Sequence, residues 1–580
     1  MVHWTPGGVR GLDSAGVRSA VDRAVLAWRG LGLERGDRIA ILSDNRPEWL
    51  ISDYSLLAAG AVPVPIYISL TAPQIRHILA DSGARGIVVS TRELLERVLE
   101  VRPALPALEH IILMDAGPQG PEPPVMAWRT LMERGSELRL RDPDAFERIA
   151  RAAGPSDLAT IIYTSGTTGD PKGVMLTHAN FLSNVKAVQK VFSFTPADRA
   201  LSFLPLSHVF ERMADYVYMM AGVTIVHVSL EEVAGALTSM RPTVLVAVPR
   251  LYEKMRERIQ EKVAAASSPQ RSLFEWAREL GRSACLEPLL GGEPPSAGTR
   301  LQLAIADRLV LRKVRAGIGG RVRTAVSAGA PLPREVFEYF AALGILICEG
   351  YGLTETSPTL TVNHPGAIRP GTVGPPVDGV ELRIATDGEI LARGPGIMKG
   401  YFNNEEATRE AIVEGWFHTG DIGELDGEGC LRITDRKKDL IVTSGGKNVA
   451  PQPLEQAILA TGKVSQAVII GNGRKFISAL IVPEPAGFET IRAAAGLGGL
   501  PRSEALAHPR VVEAFRAIIE DAMRPFATFE QVKRFALLDG EFSIESDEMT
   551  PTMKIKRRIV EQRYRELIES FYAPAPEERP

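Results

Sequence analysis

Between Thr164 and Gly169, four hydroxyl side chains and two glycines fill six consecutive positions: Thr164, Ser165, Gly166, Thr167, Thr168 and Gly169. Lys172 follows three residues later, and the apolar run 158–162 comes just before. A buried strand that ends in such a loop turns backbone N–H groups, hydroxyls and one ammonium toward a single point. That set of donors suits a polyphosphate. Gly166 and Gly169 admit positive φ and let the backbone approach an anion closely. The spacing Gly-x-x-x-x-Gly-Lys-Ser/Thr is not met, so this is no Walker loop.

Four more stretches carry suitable groups. Glu349-Gly-Tyr-Gly-Leu-Thr-Glu355 follows the apolar strand 345–347 and sets an aromatic face beside a curved backbone, with Thr354 and Glu355 next in line. Ser327-Ala-Gly-Ala-Pro-Leu-Pro333 is built of small residues, against which a flat base can lie. Gly415-Trp-Phe-His-Thr-Gly-Asp421 ends in a two-oxygen acceptor. The stretches 435–455 and 549–558 concentrate lysine and arginine around glycines and prolines.

Taken in this order, the motifs resemble those of the adenylate-forming (AMP-binding) enzymes, which include acyl-CoA synthetases, luciferases and adenylation domains. The resemblance runs from about residue 32 to about residue 564. It implies that the threonine-rich loop and Lys172 hold the phosphates of ATP. Gly329, Ala330, Glu349, Gly350, Tyr351 and Gly352 would frame the adenine, with Tyr351 stacked on it. Thr354 belongs to the same nucleotide-binding segment, and Glu355 with Thr164 would hold Mg²⁺. Asp421 would accept the ribose hydroxyls, Arg436 would reach the ribose and phosphates, and Lys447 the leaving phosphates.

By the same resemblance Lys438 is a hinge. Ser444, Gly445 and Gly446 admit coenzyme A, and Lys554 is a mobile lysine that bridges the substrate carboxylate and the α-phosphate. The adjacent Lys556-Arg-Arg558 run could bind the 3′-phosphate of coenzyme A or anionic lipid. Leu204-Pro-Leu-Ser-His-Val-Phe-Glu-Arg212, with His208 near the acyl carboxylate, is similar to the long-chain fatty acyl-CoA synthetase form of the family motif. So are residues 241–254 and the Gly-Gly-Lys-Asn-Val-Ala-Pro loop. The implied reaction is ATP-dependent formation of acyl-AMP, then of acyl-CoA. Three other readings compete: an acyl-AMP ligase that loads a carrier protein, a medium-chain or aryl acid–CoA ligase, and a non-catalytic nucleotide-binding protein. Thioester formation with coenzyme A and a panel of acids separate them.

The elements that must position these groups follow from hydrophobic period. Helical spacing at 19–31, 48–59 and 74–82 alternates with short apolar runs at 38–43, 62–67 and 86–90. This rhythm predicts parallel sheets covered on both faces. Further strands are expected at 224–228, 244–248 and 345–348, and an irregular or helical insertion at 267–298. Short strands at 380–384, 388–392, 423–425 and 430–433 predict a β-rich subdomain. Beyond Asp435 come strands 467–470 and 476–482 and helices 510–523 and 556–570. The expectation is therefore an α/β fold of at least two domains. A large N-terminal domain of mostly parallel sheets flanked by helices (1–434) contains the β-rich subdomain (about 371–433). A small, mobile α+β C-terminal domain (435–572) and a disordered tail (573–580) complete it.

Composition bounds the function. Of 580 residues, 45% are hydrophobic and 24% charged, with a net charge of −3, which disfavours nucleic acid as the main partner. Cys285, Cys348 and Cys430 form no CxxC pair and no cluster with histidine, so reduced thiols in a cytoplasm are expected. The start lacks a signal-peptide pattern. The best apolar run, 56–68, is short and broken by Pro63 and Pro65, which leaves at most peripheral contact with the inner face of a membrane. The N-terminus is expected to be shorter than in many long-chain members, and both monomer and homodimer fit.

Overall fold

The computed structural model describes residues 1–117, 120–164, 171–437, 439–543, 546–550 and 555–573. Its first sheet comes from the alternating first part of the chain. Val62–Ile66, Arg38–Leu42, Gly86–Val89, His110–Leu113 and Val125–Ala127 pair in that order, all parallel. Isoleucine, valine and leucine fill the inner strands because helices such as Ser14–Gly30 and Ala72–Ser82 bury both faces. Pro63 and Pro65 lie in the strand Val62–Ile66 at the sheet edge, where a missing N–H breaks no ladder. The Thr160 hydroxyl donates to the Pro63 carbonyl at 2.7 Å and ties this edge to the next layer.

The second sheet is mixed and centres on parallel strands Arg199–Ser202, Thr224–His227, Val244–Ala247 and Thr324–Ser327. Ile347–Gly352 continues it in parallel, and Thr359–Val362 closes that end antiparallel. At the other end Val2–Thr5 and Gly8–Gly11 add a hairpin. An antiparallel hairpin, Leu158–Thr164 and Lys172–Thr177, bridges the layers and is joined by Gly400–Tyr401.

The β-rich segment forms an antiparallel sheet of Glu381–Ile384, Glu389–Arg393, Trp416–Leu425, Ile412–Val413 and Leu431–Arg436. The last part of the chain has its own core. Strands Val464–Ile470, Ile477–Pro483 and Val532–Leu537 bury Ile469, Ile477 and Ile481 against Phe488 and Phe515.

Two expectations shift, and a third, the irregular or helical insertion, is borne out as helical. The strand foreseen at 345–348 is Ile347–Gly352, so the Gly-Tyr-Gly motif lies within the strand rather than after it. Its pairing with Thr359–Val362 extends it, with a register shift between Tyr351 and Gly352. The insertion 267–298 is helical through Ser268–Gly281, and a second helix, Ala297–Ala306, starts near its end. The helix foreseen at 556–570 breaks at Tyr564 into Arg557–Arg563 and Arg565–Tyr572, which lets Val560, Ile568 and Phe571 enter one small core. The tail 574–580 lies outside the described residues. Among the described residues no helix is long and apolar enough to cross a membrane. Cys348 and Cys430 are buried and Cys285 is half-buried; none forms a disulfide.

Candidate active site

A cleft of about 1700 Å³ gathers the ends of these elements. From the sequence-derived set it is lined by Thr164, Lys172, His208, Gly329, Ala330, Glu349, Gly350, Tyr351, Gly352, Thr354, Glu355, Asp421 and Arg436. Thr164 and Lys172 close the hairpin opposite each other, the Thr164 hydroxyl 3.5 Å from the Lys172 carbonyl. Ser165, Gly166, Thr167, Thr168 and Gly169 lie outside the described residues, as do Lys438 and Lys554. Thr550 and Ile555, the described residues on either side of 551–554, line the cleft. Ser444, Gly445, Gly446 and Lys447 are not among its lining. The Lys447 ammonium lies 5.8 Å from the Phe529 ring, in the hairpin Ile441–Val442 and Asn448–Val449.

The strand Ile347–Gly352 sets out its groups in sequence. The Glu349 carboxylate accepts the Leu332 N–H at 2.9 Å, fixing the small-residue loop, and burial pushes its pKa up to about 7. Gly329 in that loop has φ of +85°, a conformation that favours glycine. Gly352 is required by space: a Cβ there would meet the Pro358 carbonyl oxygen at 1.7 Å. The Tyr351 hydroxyl donates to Asp421 at 2.6 Å, and burial beside that carboxylate drives its pKa well up. Asp421 sits directly opposite Arg436 in the β-ladder, with the guanidinium 3.5 Å from the other carboxylate oxygen. Aromatic face, two-oxygen acceptor and cation thus converge within one patch.

Glu355 follows one turn later. Burial raises its pKa, and the Tyr401 hydroxyl, donating at 2.9 Å, works against that rise. The Lys172 ammonium lies 5.1 Å from the Tyr401 ring. Tyr401 therefore joins the carboxylate to the hairpin of Leu158–Thr164 and Lys172–Thr177, and no motif in the sequence marks it. Glu389 was also missed. It accepts the Gly420 N–H at 3.0 Å and faces Lys437 at 2.9 Å and His418 at 3.0 Å. Burial pushes the Glu389 pKa up, but these partners outweigh it and the net shift is downward. Arg334, at the start of the helix Arg334–Ala342, lines the cleft as well.

His208 caps the helix Val209–Ala221 by accepting the Phe210 N–H on Nδ1 at 3.1 Å. In the neutral ring this leaves the proton on Nε2. Beyond it one face of that helix gives Phe210, Met213, Val217 and Tyr218 to the cleft, with Val188, Phe192 and Phe194 facing them. The cleft therefore has a polar part and an apolar arm. The Lys556-Arg-Arg558 run is largely engaged within the chain. Lys556 pairs with Asp547, and Arg557 is paired with Glu455 at 2.7 Å.

Residues 15–402 match the family described as AMP-binding enzyme, and residues 438–576 match the AMP-binding enzyme C-terminal domain. The long-chain-fatty-acid–CoA ligase FadD15 of Mycobacterium bovis is 37% identical over 565 residues, covering 95% of this chain and 90% of that protein. The long-chain-fatty-acid–CoA ligase ACSBG1 of Bos taurus is 33% identical over 588 residues, covering 95% and 79%. The anthranilate CoA ligase AuaEII, solved in complex with anthranoyl-AMP, shares the fold with a TM-score of 0.71 at 21% identity, over 97% of this chain and 93% of that one. ATP-bound MatB from Rhodopseudomonas palustris does so with a TM-score of 0.69 at 23% identity, over 97% and 96%.

Proposed function

That the chain belongs to the AMP-binding enzyme family is the premise from which we propose its reaction: a long-chain fatty acid is activated by ATP to acyl-AMP and then transferred to coenzyme A. One observation carries the reading: a single cleft joins nucleotide-compatible groups to an apolar arm. Similarity along nearly the whole chain to ligases named for long-chain fatty acids supports the class of acid.

A carboxylate does not acylate a thiol directly, because oxide is too poor a leaving group at neutral pH. In the first half-reaction a carboxylate oxygen attacks the α-phosphorus, a mixed anhydride forms and pyrophosphate leaves. In the second the coenzyme A sulfur attacks the acyl carbon, its proton is lost and AMP departs. Catalysis of both steps is positioning and charge stabilisation rather than covalent chemistry.

Tyr351 and the 327–333 loop would flank the adenine, and Asp421 would take the ribose. Lys172 with the threonine-rich loop would hold the phosphates, aided by Arg436. His208 Nε2–H, at the N-terminus of a 13-residue helix, would orient the acyl carboxylate. Glu355 and Thr164 offer hard oxygen donors suited to Mg²⁺. Phosphate oxygens and water would supply the rest of its shell. The ion, when bound, neutralises phosphate charge. By resemblance Lys554 bridges carboxylate and α-phosphate, and Lys438, near a domain boundary at Asp435, is the pivot that exchanges it for the Gly445 loop. The enzyme's use of ATP and coenzyme A supports a cytoplasmic location.

The test is AMP and thioester formation from saturated acids of graded length, with and without coenzyme A. AMP and acyl-CoA should form in equal amounts. Each methylene should add roughly 0.8 kcal/mol, about fourfold in kcat/KM, until the arm is full. Acyl-AMP without thioester, or a preference for aryl acids, overturns the reading.

A further inference from the structure

The helices between residues 268 and 316 expose apolar surface that the fold does not use. In Ala297–Ala306 the only buried residue is Ala306, although the helix contains Leu301, Leu303 and Ile305 and no acidic residue. Leu301 is 67% exposed, Ile305 49% and Leu309 48%. Their i, i+4, i+8 spacing puts them along one stripe. An apolar stripe on a surface helix normally faces the core, and a contiguous exposed one marks an interaction site. Trp276, also exposed, lies on the neighbouring helix Ser268–Gly281.

Charge selects the partner. Residues 297–316 contain five basic side chains and one acidic, net +4, in a chain whose net charge is −3. Arg315 pairs with that acid, Asp307. Arg308, Arg312 and Lys313 are exposed, and no carboxylate of the described residues pairs with them. Leucine and isoleucine interleaved with arginine and lysine fit a surface that is apolar within and anionic at its boundary.

We propose that the face bearing Leu301, Ile305, Leu309, Arg308, Arg312 and Lys313 docks on an anionic phospholipid bilayer. The neighbouring helix Ser268–Gly281 joins this face to the body of the fold. Gly281 packs so closely on the helix Arg334–Ala342 that a Cβ would meet the Ala342 carbonyl oxygen at 1.9 Å. That same helix begins at Arg334 in the cleft wall. From this face the helices Ser268–Gly281 and Arg334–Ala342 lead to the cleft wall at Arg334. The proposal needs only this surface, so it stands or falls apart from the ligase reaction.

Flotation of the full-length protein with vesicles tests it, comparing phosphatidylcholine alone with equal parts phosphatidylcholine and phosphatidylglycerol. The protein should float with the mixed vesicles only, and raised salt should weaken the binding. Two triple variants, Leu301→Ser/Ile305→Ser/Leu309→Ser and Arg308→Gln/Arg312→Gln/Lys313→Gln, should each weaken vesicle binding about tenfold or more. Both should keep the wild-type rate with a water-soluble acid, which shows that they fold. Equal flotation with both vesicle types, or flotation unchanged in both variants, overturns the proposal. So does a wild type that ignores vesicles but self-associates through this face, which would make it a protein interface.

Discussion

Glu355 and Tyr401 are 46 residues apart in sequence and 2.9 Å apart in space, and together they set the charge on the proposed metal ligand. Burial alone favours the neutral acid, which binds no cation; the tyrosine hydroxyl favours the anion. Tyr401→Phe removes that bond and must raise the Glu355 pKa further. A larger fraction is then protonated at a given pH, so the acid limb of kcat/KM moves upward. A hydrogen bond to a charged group contributes about 1.5–3 kcal/mol, so on the acid side of that limb adenylation should fall roughly ten- to hundredfold, and by less as the pH rises through it. A pH profile of pyrophosphate release decides it, and an unmoved limb refutes the coupling. Thr164, Lys172, Tyr351, Glu355, Asp421 and Arg436 were legible because each stands in a motif whose neighbours announce it. Tyr401 was not, because nothing in Gly-Tyr-Phe-Asn refers to Glu355. Their approach depends on Gly400–Tyr401 pairing with Lys172–Thr177, a long-range register that no local spacing encodes.

Among the elements, the strand Ile347–Gly352 shows what periodicity captures and what it omits. The apolar residues Ile347 and Cys348 announced a strand, but Glu-Gly-Tyr-Gly has no strand period and read as a turn. The antiparallel partner Thr359–Val362 holds it extended. The parallel sheets were easier, since their buried Val/Ile runs repeat between amphipathic helices. The two glycines differ in consequence. An alanine at Gly352 would drive its Cβ into the Pro358 carbonyl oxygen, whereas at Gly350 the nearest atoms are 3.3 Å away or more. Gly352→Ala should therefore displace Thr359–Val362, cost about 1–3 kcal/mol of stability and abolish ATP binding. Gly350→Ala should stay within about 1 kcal/mol of wild type. Thermal unfolding with and without ATP measures both, and equal effects would remove the steric account of this strand.

At the scale of the whole molecule, two segments of the last part of the chain have different relations to the cleft. Thr550 and Ile555, which flank 551–554, line it, together with Arg557; Ser444 to Lys447 do not. If one arrangement serves adenylation and a second, reached by rotation at Lys438, serves thioester formation, the two halves of the reaction must separate by mutation. Lys554→Ala should lower adenylation by roughly a hundredfold or more, about 3 kcal/mol, as for loss of a donor aimed at developing charge. It should leave conversion of supplied acyl-AMP to thioester near the wild-type rate. Gly445→Leu is the converse. A Cβ at Gly445 meets nothing nearer than the Thr443 hydroxyl at 4.0 Å, so neither folding nor adenylation has a reason to suffer. Thioester formation should fail if, as proposed, the pantetheine arm passes this backbone after rotation. The two half-reactions are followed separately, as pyrophosphate release without coenzyme A and as thioester formed from supplied acyl-AMP. A single cleft working in one fixed arrangement would instead make both rates fall together in either variant, and that result would exclude the rotation.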